Sequence, residues 1–150
     1  MAIATTLVGV PKHLKHAEAS VTYAELKAYE EEKANNEWSN QLVAHAKTLQ
    51  GKRTGQCVLA LRNKFGVPKS EVQGAAKTTK INSQTGKVGS VIVFRNMSKY
   101  GHVGILLQDT GDGWLYFHSN VDWRGTGRID WISKTDRKIS GYRIINYQKT

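Results

Sequence analysis

With 150 residues and 39% hydrophobic side chains, the chain is about one domain long and carries enough apolar surface for a single core. Its 22 Lys and Arg against 12 Asp and Glu give a formal charge of +10, which favours polyanionic partners such as nucleic acid, anionic lipid or an anionic cell-wall polymer. A single cysteine excludes an internal disulfide framework and a cysteine-rich zinc site, and the N-terminal MAIATTLVGVPK matches neither a secretory signal nor a membrane span.

Residues 1–20 show no clear period and are expected to form an arm, leaving 21–150 as one domain. Thr22 and Glu25 have the spacing of a capping box, which predicts a helix over Tyr23–Ala34. Asn35 and Asn36 then punctuate. Trp38, Leu42, Ala46 and Leu49 recur at helical spacing and predict a second helix ending at Gly51. A third follows, with Thr54 as its cap, Val58, Leu61 and Phe65 as its apolar stripe, and Gly66 and Pro68 as its stop. Cys57 falls in its first turn. Residues 69–87 read as a long connection with room for one helical turn. Five short β-rich runs come next, at 89–94, 102–108, 114–120, 127–132 and 139–145, separated by turn signals such as DTGDG. Helices followed by strands predict an α+β domain with an antiparallel sheet of about five strands.

The chemistry-bearing residues cluster in this pattern. A cysteine at a helix start faces unpaired N–H groups and the positive end of the helix dipole, which predicts a lowered thiol pKa and a place to hold an oxyanion. The Cys57 N–H is the first donor, with Gln56 a second candidate. A nucleophilic cysteine needs a base, and His102 stands at the start of an apolar strand behind Gly101. Taken singly, Cys57 reads as a buried structural thiol and His102 as a hydrogen-bonded surface residue. A group that orients the imidazole is also needed, and His118 and Asn120 share a strand face with Trp114 and Tyr116 because side chains alternate with period two. His102 meets that face only if paired residue numbers have an even sum. The expectation is therefore a loop of Thr110, Gly111 and Asp112 with Asp109 opposite Gly113, or else a β-bulge, with His102 opposite Asn120 and diagonal to His118.

The stretch YGHVGILLQDTGDGWLYFHSNV resembles the histidine hairpin of the NlpC-type cell-wall peptidases. GQCVLALRNKFGVPKS is similar to the cysteine helix of the same clan, with Gly-Gln-Cys closer to the CHAP (cysteine, histidine-dependent amidohydrolase/peptidase) branch. The resemblance spans about residues 51–147. It implies a papain-like fold, with the cysteine helix packed on the sheet. It also implies Cys57 as nucleophile, His102 as general base and acid, and His118 or Asn120 as the third member, with His118 preferred. The sequence departs from the pattern at Gln56-Cys57-Val58, where the NlpC branch has Asp-Cys-Ser. His118 and Asn120 stand where CHAP members carry an acidic residue and an asparagine.

The implied reaction is acyl transfer through a thioester, with no metal and no cofactor. No acidic cluster precedes Cys57, and Asp109 and Asp112 read as turn formers. Gln56, Trp114, Tyr116 and Trp123 are the candidates for contacting substrate, with Trp131 a further aromatic. The expected partner is bacterial peptidoglycan, with its anionic wall polymers, acted on by a protein that another machine delivers: a phage lysin, a virion-borne hydrolase or an injected effector. A monomer is expected outside such an assembly. The alternatives are a nucleic-acid-binding module, a structural phage module without catalysis, and an amidase or acyltransferase of the same fold with a substrate outside the wall. No helix carries a concentrated basic face, which disfavours dedicated nucleic-acid binding.

Overall fold

Thr22 caps the first helix through its hydroxyl, one half of the capping box that the spacing predicts. The Thr22 hydroxyl oxygen accepts the Glu25 N–H at 3.1 Å, and the hydroxyl lies 3.0 Å from the Glu25 carboxylate. Helix α1 (Tyr23–Leu49) starts there and runs for 27 residues. The break expected at Asn35 and Asn36 does not occur. Each asparagine costs at most about 0.7 kcal/mol relative to alanine inside a helix, too little to stop one. The two helices read from the sequence are therefore one.

The computed structural model describes residues 22–95, 98–120 and 123–147, so the expected arm at 1–20 lies outside the described residues. The chain divides into two units between Trp38 and Ser39. In the first, residues 23–38 are part of α1. In the second, the remainder of α1 buries Leu42 and Ala46, and the Ser39 hydroxyl donates to the Leu107 carbonyl at 2.6 Å.

Helix α2 (Cys57–Phe65) opens at the cysteine itself. Its cap residue is Gln56, extended at φ −66° and ψ 155°, and not Thr54; Gln56 makes no side-chain capping bond. Thr54 is buried and its hydroxyl is 2.7 Å from that of Ser119. Gly66 ends the helix in the left-handed conformation at φ 70°, as expected of a C-terminal glycine. Val58, Ala60 and Leu61 are buried, and Phe65 packs against Phe117 with ring centres 4.9 Å apart. The connection that follows holds one 3-10 turn, Ala76–Thr78.

Strands β1 (Val91–Phe94), β2 (His102–Asp109), β3 (Gly113–Ser119), β4 (Gly127–Ser133) and β5 (Ile139–Arg143) form one sheet in the order β4-β3-β2-β1-β5. Every neighbouring pair is antiparallel. The protein is thus α+β with a five-stranded antiparallel sheet. Phe117 faces α2, and strand alternation turns Tyr116 and His118 to the other side. There Ile92, Phe94, Leu106, Trp114, Tyr116, Ile132 and Tyr142 build an apolar cluster.

The β2–β3 hairpin closes through the alternative of the two expected routes. Thr110 N–H donates to Gly113 O at 3.0 Å around Gly111 and Asp112, a two-residue turn in which Gly111 takes φ 99°. Asp109 pairs with Trp114, not Gly113. That register has an odd sum, and a bulge at Leu107 converts it: Gln108 pairs with Leu115, but Leu106 pairs with Tyr116 and Gly104 with His118. Beyond the bulge the sum is even, which brings His102 and His118 to one face.

Candidate active site

The residues flanking Cys57 are fastened before the helix begins. Thr54 and Gly55 both donate their N–H groups to Gly125 O, at 2.7 and 3.1 Å, and the Ser119 hydroxyl donates to Gly55 O at 2.6 Å. Gly55 and Gly125, at φ 89° and 72°, pass so close that a Cβ on Gly125 would lie 3.1 Å from the Gly55 Cα. Ser119 is wholly buried and follows His118 on β3. The cysteine turn is therefore tied directly to the strand that carries the second histidine.

Cys57 is half-buried as the first residue of α2. Burial pushes its thiol pKa up, against the pull of the Val103, Val58 and Cys57 N–H groups. The lowering expected from the helix start is present in the Val58 and Cys57 amides, with Val103 of β2 added to them, but desolvation outweighs it. The Val103 contact also fixes the location: the sulfur lies against the backbone at the first residues of β2, beside His102.

His102 is buried, with 7% of its surface exposed. Burial, reinforced by the neighbouring His118, holds its pKa down at about 4, so the ring is neutral near pH 7. Its Nε2 lies 2.9 Å from His118 Nδ1. His118, also buried, places its Nε2 2.5 Å from Asp130 Oδ2 on β4. Burial pushes the His118 pKa down, and the hydrogen bond and charge of Asp130 oppose it. Arg128 Nε stands 3.3 Å from the same carboxylate. Tyr116 leans on the His118 ring at 4.7 Å between centres, and Phe94 on the His102 ring at 5.5 Å. Both histidines are thus held by apolar rings as well as by hydrogen bonds.

Cys57 and His102 line a cleft of about 790 Å³. Its walls come from residues 55–58, the turn at 74–76, the approach to β2 and the loop after β3. The chain passes close at Gly101, where a Cβ would lie 2.5 Å from the Lys77 backbone nitrogen. Lys77 N–H donates to Tyr100 O at 2.8 Å, which seats the 3-10 turn against the start of β2.

The other sequence candidates divide. Gln56 and Trp123 line the cleft, Trp123 at φ 63° and 75% exposed. Asn120 lines it too, at φ 68°, but its side-chain oxygen accepts the Gly125 N–H at 2.9 Å. Asn120 thereby braces the loop that clamps Gly55, while His118 is the residue at the His102 ring. Trp114 and Tyr116 are not groove residues: at 3% and 7% exposure they belong to the apolar cluster, and burial, with the Asp130 charge, pushes the Tyr116 hydroxyl pKa up to about 12. Trp131 covers Gly113 at the opposite end of the sheet and donates to Thr110 Oγ1 at 2.9 Å.

Sequence reasoning missed Asp130, Ser119 and Tyr100, the last of which lines the cleft. Asp130 carried one signal, since Arg128 and Asp130 alternate with Ile129 and Trp131 and so put a charge pair on a single face of a strand. Among the described residues, no group of three His, Cys, Asp or Glu side chains is arranged to hold a metal ion. None of their helices is long and apolar enough to cross a membrane.

The arrangement is that of a thiol, a neutral imidazole beside it and a polar row behind the imidazole, opening on a cleft. Such a set can carry out nucleophilic attack on an acyl carbon. No family model matches the chain, and no curated protein matches it. Among solved structures, the crystal structure of Ly7917 is similar at a TM-score of 0.51 and 13% identity over 69% of this chain. The match spans 61% of that protein's chain, a likeness of fold.

Proposed function

We propose that the protein is a papain-like cysteine hydrolase of the NlpC/CHAP type, cleaving a peptide or amide bond of bacterial peptidoglycan. The observation that carries this reading is the row of the buried His102 and His118 and the partly exposed Asp130, ending beside Cys57 in an open cleft. Burial raises the thiol pKa and lowers that of His102, so the resting pair is neutral. His102 then acts as general base, removing the thiol proton as sulfur attacks the acyl carbon, and returns that proton to the leaving amine. Water, activated by the same imidazole, hydrolyses the thioester. The Cys57 N–H, at the helix start, serves as the oxyanion donor.

The charge of +10 supports an anionic polymer as substrate, drawn to the surface by long-range attraction. Gln56, Tyr100 and Trp123 at the cleft supply polar and aromatic contacts for a peptide chain. Delivery by a phage particle, at host lysis or by injection fits an enzyme of this kind.

Mass spectrometry of purified peptidoglycan after incubation tests the proposal and identifies the bond. Wild-type protein is expected to release peptide or glycan fragments with new amino termini, and the Cys57→Ala protein none. Walls left intact by the wild type, or cut equally by both proteins, reject it.

A further inference from the structure

We infer that Asp130 is a positioning residue that sets the proton arrangement of both histidines, and through them frees His102 Nδ1 to serve Cys57. The inference rests on the proposed roles of Cys57 and His102. Its starting point is the order of atoms along the row. A carboxylate only accepts hydrogen bonds, so the nitrogen of His118 that lies 2.5 Å from Asp130, Nε2, carries the proton. In the neutral ring Nδ1 is then the acceptor. That atom is 2.9 Å from His102 Nε2, which must therefore be the donor. His102 in turn keeps its lone pair on Nδ1, the form a general base needs.

The direction of the whole row follows from the carboxylate at its end. Without Asp130 the reverse arrangement becomes available: His118 Nδ1–H donates to His102 Nε2, and His102 carries its proton on Nδ1, where it cannot take another. Burial makes the choice consequential, since both rings are packed under Tyr116 and Phe94 with little water to exchange partners. Arg128 Nε, 3.3 Å from the carboxylate, places a second donor beside it and no acceptor. Asp130 itself is one-third exposed, so its replacement removes a hydrogen-bond acceptor without opening a core cavity.

The experiment is nitrogen-15 NMR of the histidine rings in the wild-type protein and in Asp130→Ala at pH 7, paired with steady-state kinetics. The wild type is expected to show both His102 and His118 protonated on Nε2. Asp130→Ala is expected to show His102 with a share of its protons on Nδ1, and a kcat about 10- to 100-fold lower with KM little changed, the size typical of losing a partner behind a functional side chain. A wild-type His102 protonated on Nδ1 overturns the inference. So does a His102 ring still wholly protonated on Nε2 in Asp130→Ala. The ring signals do not depend on turnover: a protein with the expected protons but no action on peptidoglycan would overturn the proposed function and leave the assignment of Asp130 standing.

Discussion

The two ends of the β2–β3–β4 sheet are built from the same three strands and use polar residues in opposite ways. At the turn end, Asp109 accepts from Lys134 Nζ at 2.7 Å and from the Gly111 N–H at 2.9 Å, and Trp131 reaches Thr110, all in exposed positions. At the other end His102 and His118 are buried behind aromatic rings, and only Asp130 at the end of the row is partly exposed. The pKa shifts follow the same division. Partial burial acts to raise the Asp109 pKa, but Lys134 and the Gly111 N–H outweigh it and hold the carboxyl low, whereas burial dominates His102 and His118. The ends even differ in register, and Leu107 is the residue at which one becomes the other. The turn closes the hairpin, and the bulge aims it.

This contrast is broken most severely at Cys57 and His102. Replacing either with alanine is expected to lower kcat/KM by at least about 1,000-fold, and the double variant should lose little more, because the two act as one unit. Additive losses in the kinetics of the single and double variants would separate them. His118→Ala comes next. It removes the acceptor for His102 Nε2, and kcat is expected to fall about 100-fold while the fold, read by circular dichroism, persists.

Acid sharpens the comparison without mutation. Because the His102 pKa is lowered from 6.5 to about 4, its base form survives from neutral pH down to about 4 and is lost below. The pH profile of kcat/KM should therefore stay flat to about pH 5 and fall about tenfold per unit below pH 4. Stability responds over a different window. The unfolded chain takes up the His102 proton near 6.5 and the native protein resists it, so the His102 contribution is fully present above 6.5 and is lost as pH falls towards 4. Denaturant titrations at pH 7 and pH 5 are expected to show the lower midpoint at pH 5.

The smallest effect belongs to the turn end. Lys134→Ala breaks a half-exposed ion pair and is expected to cost under about 1 kcal/mol in denaturant titration, with kcat unchanged. A kcat loss as large as that of His118→Ala would mean that the two ends are not independent.

Much of this was legible in the chain, for reasons that differ by element. The five strands and the cysteine helix announce themselves through apolar period and through Gly66, because burial on a defined face leaves a repeating trace. Asn35 and Asn36 misled because their helix penalty is small beside the cost of ending a helix. The hairpin register was not legible. DTGDG permits a two- or a three-residue turn, and the bulge lies in the run Ile105, Leu106, Leu107, where all three side chains are buried and no alternation marks the face. The choice between His118 and Asn120 depended on where the loop after β3 turns, which the Asn120 bond to Gly125 decides. Asp130 depended on the β3–β4 register, in which it stands opposite Tyr116 and so beside His118.

The central claim is that Cys57 becomes acylated, and acid-quenched intact-mass spectrometry reads this directly. The protein is mixed with a p-nitrophenyl ester of a peptidoglycan stem peptide, whose activated leaving group makes acylation faster than hydrolysis and lets the thioester accumulate. The predicted result is a mass increase equal to one acyl fragment, mapped to Cys57 and absent from Cys57→Ala. Release of p-nitrophenol at the same rate from the Cys57→Ala protein, or an acyl group mapped to any other residue, would contradict it.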